Sequence, residues 1–202
     1  MAVSAVVFDV GNVLYRWSPR ALYERLIPEG RALDAFLENV VTTDWHFQHD
    51  AGRDFAETSA ELIARFPDHR DLILAWQPRF NETITGAVEG MTELVADLDS
   101  AGVPMFGITN FSHEFWPPFR NSEAQLFNRF QGIVVSGEEK LAKPDPAIYA
   151  LALKRFALAP GEGLFLDDRR ENVDAANANG FVGHHFTNAA RARAHIVELG
   201  LL

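Results

Sequence analysis

Ala5-Val6-Val7-Phe8-Asp9-Val10-Gly11-Asn12-Val13-Leu14 is the stretch from which the rest of the chain is read. Its first four residues are apolar, and the run stops at a carboxylate. An apolar run without alternation suits a strand buried on both faces of a parallel sheet. A lone Asp would be costly inside such a sheet, but at the C-terminal edge the chain opens into the crevice where ligands bind. Asp also caps turns after strands, so on this stretch alone the two readings of Asp9 weigh equally.

Four further strands follow downstream. Residues 103–108 end in Thr109-Asn110, residues 133–135 in Ser136-Gly137, and residues 164–166 in Asp167-Asp168, while a fifth strand lies within 181–186. Helices separate them. A stripe from Val88 to Leu98 closes at Gly102, Asp145-Pro146 opens a helix running to about Phe156, a third closes at Gly180, and Asn188 caps the last. Strands alternating with helices predict an α/β fold with a doubly wound, parallel five-stranded sheet. Residues 16–84 carry no evident strand. Leu33, Phe36, Leu37, Val40 and Val41 form one helical stripe, Phe55, Leu62, Ile63 and Phe66 a second, and Leu72, Ile73, Trp76, Phe80 and Ile84 a third. So long a helical stretch is no simple crossover. It predicts a helical cap at 16–85, inserted into a core made of 1–15 and 86–202.

The totals narrow the function. The 202 residues are 48% hydrophobic and 23% charged, ordinary values for a soluble globular protein. A net charge of −10 without a block of Lys or Arg argues against a nucleic-acid partner. There is no Cys, hence no disulfide and no Cys–zinc site. No apolar run approaches the roughly 20 residues of a membrane span, and no basic leader precedes the first strand, so a soluble cytoplasmic protein is the expectation. The aromatic-rich cap could offer a surface to a second copy in a homodimer.

In a parallel sheet the strand ends share one edge. Asp9, Thr109, Asn110, Lys143 or Lys140, Asp167 and Asp168 therefore converge there. Three carboxylates in a small site need neutralisation, which a hard cation such as Mg²⁺ with oxygen ligands supplies. A Lys beside them holds an anionic group, and a carboxylate can itself attack phosphorus. Metal-assisted phosphoryl transfer is the reaction these residue types support.

The four motifs, Phe8-Asp9-Val10-Gly11-Asn12-Val13, Ile108-Thr109-Asn110, Lys143-Pro144-Asp145-Pro146 and Phe165-Leu166-Asp167-Asp168 with Asn172, stand in the order of the haloacid dehalogenase (HAD) superfamily, which the chain resembles over essentially its whole length. The resemblance implies Asp9 as nucleophile and metal ligand, Thr109 and Asn110 as phosphoryl contacts, and Lys143 as the cation stabilising both nucleophile and phosphate. It further implies Mg²⁺ held by Asp9, the Gly11 carbonyl and Asp168, with Asp167 assisting. The activity implied is hydrolysis of a small phosphorylated metabolite through an aspartyl-phosphate.

One position departs from the pattern. Gly11 stands where the family's phosphatases carry a second Asp as general acid and base, help worth roughly 10²–10⁴-fold. Three readings follow. The substrate has a good leaving group, as in a sugar 1-phosphate; a cap residue among His46, His49 and Asp50 replaces the acid; or no proton is needed, as in release of halide from a 2-haloacid. The Gly-Asn-Val form of the first motif, with Asn110-Phe111, Phe115-Trp116 and the Asp pair, resembles the glucose-1-phosphatase-like subgroup, which favours the first. A 2-haloacid dehalogenase and a non-catalytic HAD-fold binding protein are the alternatives. In the cap, Trp45-His46-Phe47-Gln48-His49-Asp50 places His46 and His49 as candidate substrate contacts.

Overall fold

The computed structural model describes residues 2–202. Strands β1 (Ala5–Phe8), β4 (Met105–Thr109), β5 (Gly132–Val135), β6 (Gly163–Asp167) and β7 (Val182–His185) form a parallel sheet in the order β5-β4-β1-β6-β7. The two remaining strands, β2 (Tyr15–Trp17) and β3 (Ile84–Ala87), pair with each other. In the central strand Val7 stands level with Phe106 of β4 and Phe165 of β6.

The absence of alternation in β1 has a direct cause. Val6 and Phe8 point into one apolar cluster, Ala5 and Val7 into another, so both faces are covered. Leu94, Leu98, Ala192 and Ile196, from helices Met91–Ser100 and Ala189–Glu198, cover the first face. Ile148, Tyr149, Ala152 and Ala176, from Pro146–Phe156 and Arg170–Ala178, cover the second. The expected caps form: the Asp145 carboxylate accepts from Ala147 N at 2.8 Å and the Asn188 side chain from Arg191 N at 3.0 Å.

Residues 16–84 are mainly helical, with two corrections. The ends of this stretch are strands: β2 and β3 run antiparallel, with Tyr15 opposite Ala87 and Trp17 opposite Ile84. Three or four residues are too few for a period-two pattern to register. The third apolar stripe is also not one helix. It breaks into Arg70–Leu74, Trp76–Arg79 and a 3₁₀ turn at Phe80–Thr83, with Pro78 unable to donate to a continuing ladder.

The helical region packs onto the sheet edge without a separate core, since Trp45, Phe55, Trp76 and Phe80 belong to the same cluster as Phe111, Phe115 and Phe119. Hydrogen bonds lock the contact. Ser136, just past β5, donates through Oγ to the Asp50 carbonyl at 2.5 Å and accepts from Phe111 N at 2.9 Å. Glu114 accepts from Phe55 N at 2.6 Å, at the start of helix Phe55–Arg65, and from Gln77 Nε2 at 3.1 Å. Gly137 is required here: a Cβ would stand 2.5 Å from His113 N and 2.8 Å from Phe111 O.

Candidate active site

Asp9 follows β1, and its backbone N–H still bonds Leu166 O at 2.9 Å, so the sheet ladder fixes where its side chain starts. Its Oδ1 accepts from Val10 N at 2.7 Å and lies 2.8 Å from Lys143 Nζ. The same ammonium reaches Asp167 Oδ2 at 2.7 Å. Asp167 is fully buried and its oxygens also accept from Arg169 N at 2.8 Å and from Asn172 Nδ2 at 3.1 Å each. Lys143 is itself only 2% exposed and lies 5.3 Å from the centre of the Phe165 ring. A buried ammonium between two carboxylates keeps its charge: burial works against it, but Asp167 and Asp9 raise its pKa above the ordinary lysine value.

Asn110 does something the sequence does not foretell. Its Nδ2 donates to Lys143 O at 3.0 Å and its Oδ1 accepts from Lys143 N at 2.8 Å. The end of β4 thus clasps the backbone of the residue carrying the cation. Asn110 lines the cavity, but its amide is committed to the loop. Thr109 is buried, and its Oγ1 has no hydrogen-bond partner. Lys140 is exposed, and Lys143 is the lysine at the carboxylates.

A cavity of about 150 Å³ opens in front of Asp9, lined by Gly11, Asn110, Lys143 and Asp168 at the sheet edge and by His46, Asp50 and several aromatic rings opposite. His46 Nε2 lies 3.5 Å from Asp50 Oδ2, and His46 Nδ1 and Asp50 Oδ1 have no partner. His49, three residues along the same helix, does not line the cavity; its Nε2 meets Thr58 Oγ1 at 2.6 Å and it is fully buried. Burial pulls the His46 pKa down to about 3 and that of His49 to about 4, so both rings are neutral at pH 7. Burial, aided by the Asp9 charge, pushes the Asp50 carboxyl well above the ordinary range.

Residues 3–180 match the haloacid dehalogenase-like hydrolases. The chain belongs to that family. A sesquiterpene phosphatase from Aspergillus oryzae is 27% identical to it, over 92% of this chain and 90% of that protein. Phosphoglycolate phosphatase 1 of Pseudomonas aeruginosa is 31% identical, over 50% of this hydrolase and 36% of its own length. Among solved structures, a HAD family enzyme from Bacteroides thetaiotaomicron, in complex with magnesium and inorganic phosphate, superposes with a TM-score of 0.69 at 16% identity, covering 92% of this chain and 95% of that one.

The donor set of this hydrolase fits a magnesium ion. One oxygen each from Asp9, Asp167 and Asp168 lies within 4.8 Å of the others. Without a cation two of these carboxyls are harder to ionise: burial, with the Asp167 charge and against the pull of Lys143, raises the Asp9 pKa to about 7, and burial raises that of Asp168. Both Asp167 oxygens already accept hydrogen bonds from the protein. A Cβ added to Gly11 would meet nothing within 4 Å. The missing Asp at this position is therefore not excluded by crowding.

Sequence reasoning overlooked most of the cavity's far wall. Tyr15, Trp17, Phe80 and Phe119 line it, and of these the sequence marks only Phe80, as part of a helical stripe. The available signal was Tyr15-Arg16-Trp17, two aromatics at strand spacing immediately after the first motif.

Proposed function

We propose that this hydrolase cleaves small phosphate monoesters with magnesium, through an aspartyl-phosphate on Asp9. The reading rests on one arrangement above all: a carboxylate at the mouth of a strand end, its Oδ1 engaged by the Lys143 ammonium and the Val10 N–H, facing a cavity. Oδ2 is then the oxygen left to attack phosphorus as the ester P–O bond breaks. Lys143 offsets charge on the transferring group, and the unpartnered Thr109 hydroxyl is available to donate to a phosphoryl oxygen. Bound magnesium, held by Asp9 and Asp168 with the Gly11 carbonyl, would add positive charge opposite the phosphoryl oxygens.

The leaving oxygen needs a proton that Gly11 cannot give. Asp50 is the residue to supply it: its carboxyl lines the cavity, its protonated form is favoured by burial, and Oδ1 is unpartnered. In the second step the Asp50 carboxylate takes a proton from water as the water attacks phosphorus, which frees phosphate and restores Asp9. The relatives named as phosphatases support a small phosphorylated substrate.

Phosphate release from a set of phosphomonoesters, with Mg²⁺ and with EDTA, is the test. Turnover that needs Mg²⁺ and disappears in Asp9→Asn is expected. Halide release from 2-chloropropionate without phosphatase activity would replace this reading with a dehalogenase; silence in both assays would leave a binding protein.

A further inference from the structure

Six rings line the cavity and touch one another in sequence. Trp17 stacks on His46 with centroids 4.8 Å apart, and His46 stacks on Phe80 at 5.8 Å. Phe80 meets Phe111 edge-on at 5.4 Å, Phe111 stacks on Phe119 at 5.5 Å, and Phe119 meets Tyr15 edge-on at 5.2 Å. Tyr15 and Trp17 stand two residues apart on β2, so the series returns to the strand from which it set out. All six belong to the cavity lining. Phe47 lines it too and is 39% exposed.

The polar side chains of the lining are largely engaged within the protein. Tyr15 OH donates to Glu123 at 2.8 Å, Asn12 Oδ1 accepts from Trp17 N at 3.1 Å, Asn110 holds the Lys143 backbone, and Asn172 holds Asp167. Of the lining cations Lys143 is held by two buried carboxylates, whereas Arg169 is exposed and pairs only with Glu171 at the surface. Among the buried polar atoms of the lining, Trp17 Nε1, His46 Nδ1 and Asp50 Oδ1 on the wall and Asn172 Oδ1 at the sheet edge have no partner, and the first three belong to adjoining residues at one locus. A sugar brings a ring of hydroxyls and phosphoglycolate a second anion, and a site offering them so little discriminates against both. An apolar group needs no such partners, and ring faces favour π-systems.

We infer that the substrate is a phosphate monoester whose alcohol part is apolar and unsaturated, an aryl-type or prenyl group. At about 150 Å³ the cavity, which must also hold the phosphoryl group beside Asp9, encloses no more of the alcohol than one ring or one isoprene unit. This rests on the phosphomonoesterase reading for the reaction but not for the fit. It also replaces the sequence-based leaning toward glucose 1-phosphate.

The test compares benzyl phosphate and dimethylallyl phosphate with glucose 1-phosphate and 2-phosphoglycolate, all with Mg²⁺. Benzyl and dimethylallyl alkoxides are poorer leaving groups than the anomeric oxygen of glucose, so a preference for them reports fit. Expected is a kcat/KM higher by roughly 10- to 100-fold for the two apolar esters. Phe47→Ser, at an exposed position, should raise their KM several-fold while leaving inhibition by inorganic phosphate unchanged. Equal or better turnover of the sugar ester or of phosphoglycolate overturns the inference. Binding of the four esters to Asp9→Asn by calorimetry separates the two readings. Selective binding of the apolar pair without turnover by the wild type sinks the reaction but keeps the substrate class. Unselective binding, or none, sinks the class.

Discussion

The two sides of the cavity are built on opposite rules. At the sheet edge the charged groups answer one another, with only Thr109 Oγ1 and Asn172 Oδ1 unpartnered: Lys143 meets Asp9 and Asp167, Asn172 meets Asp167, and Asn110 meets the Lys143 backbone. On the opposite wall, rings touch rings, and three of the polar atoms have no partner. A closed polar network is all-or-none, because each member removed leaves buried charge or an unmet donor behind. An aromatic wall is graded, since each ring contributes contact area that a neighbour partly replaces. The first side is suited to fixing what reaction occurs, the second to tuning which ester undergoes it.

That contrast can be broken at its strongest point first. Lys143→Met should lower kcat/KM by about 10³-fold, in the range seen when one charge-stabilising donor is lost. It should also cost the fold about 3 kcal/mol, because Asp9 and Asp167 then face each other buried and unpaired. Denaturant titration and phosphate release check the two effects. If stability fell but turnover did not, the proposed catalytic role of the cation would be wrong.

Asp50→Asn comes next. In kcat/KM, which reports the first step alone, it should cost about 10²-fold on benzyl phosphate and far less on 4-nitrophenyl phosphate, whose leaving group needs no proton. Installing Asp at Gly11 in the same chain should restore part of the loss, as open space surrounds that position. Equal losses on both esters would assign Asp50 a structural role.

Metal affinity should carry the mark of Asp9. With a pKa of about 7 in the metal-free site, this carboxyl is protonated below that pH and must release its proton to bind a cation. Mg²⁺ affinity should therefore rise about tenfold per pH unit up to about pH 7 and level off above it. Calorimetric titration at pH 5.5, 6.5 and 8 tests this, and Asp9→Asn should flatten the dependence. The smallest effect belongs to the wall: Phe80→Leu should raise KM for the apolar esters by only a few-fold with kcat unchanged, whereas a collapse of kcat would show that the ring positions the reacting groups.

The two sides also differed in how far the sequence disclosed them. Asp9, Asp167 and Asp168 were legible because each ends an uninterrupted apolar run, and parallel topology brings such ends together. The sheet was legible for the same reason. Its ladder, its caps at Asp145 and Asn188 and its five strands follow from local patterns. The aromatic wall was not, since Tyr15, His46, Phe80 and Phe119 are tens of residues apart and nothing local tells a cavity ring from a packed one. Which His of the pair faces inward was likewise undecidable: residues three apart on a helix share a side, and only the neighbouring Thr58 captures His49. The β2–β3 ribbon escaped because its strands are too short to carry a pattern, and Asn110 because a polar residue at a strand end reads as a ligand contact rather than a clasp.

The bond from Phe55 N–H to the Glu114 carboxylate joins the helical region to the loop beyond β4. Hydrogen exchange at that single amide proceeds only when the bond opens. Its protection therefore acts as a clock for the lifting of the helical region. Compared with turnover on the same timescale, it tells whether bond breaking at phosphorus or the parting of the two halves sets the pace of the cycle.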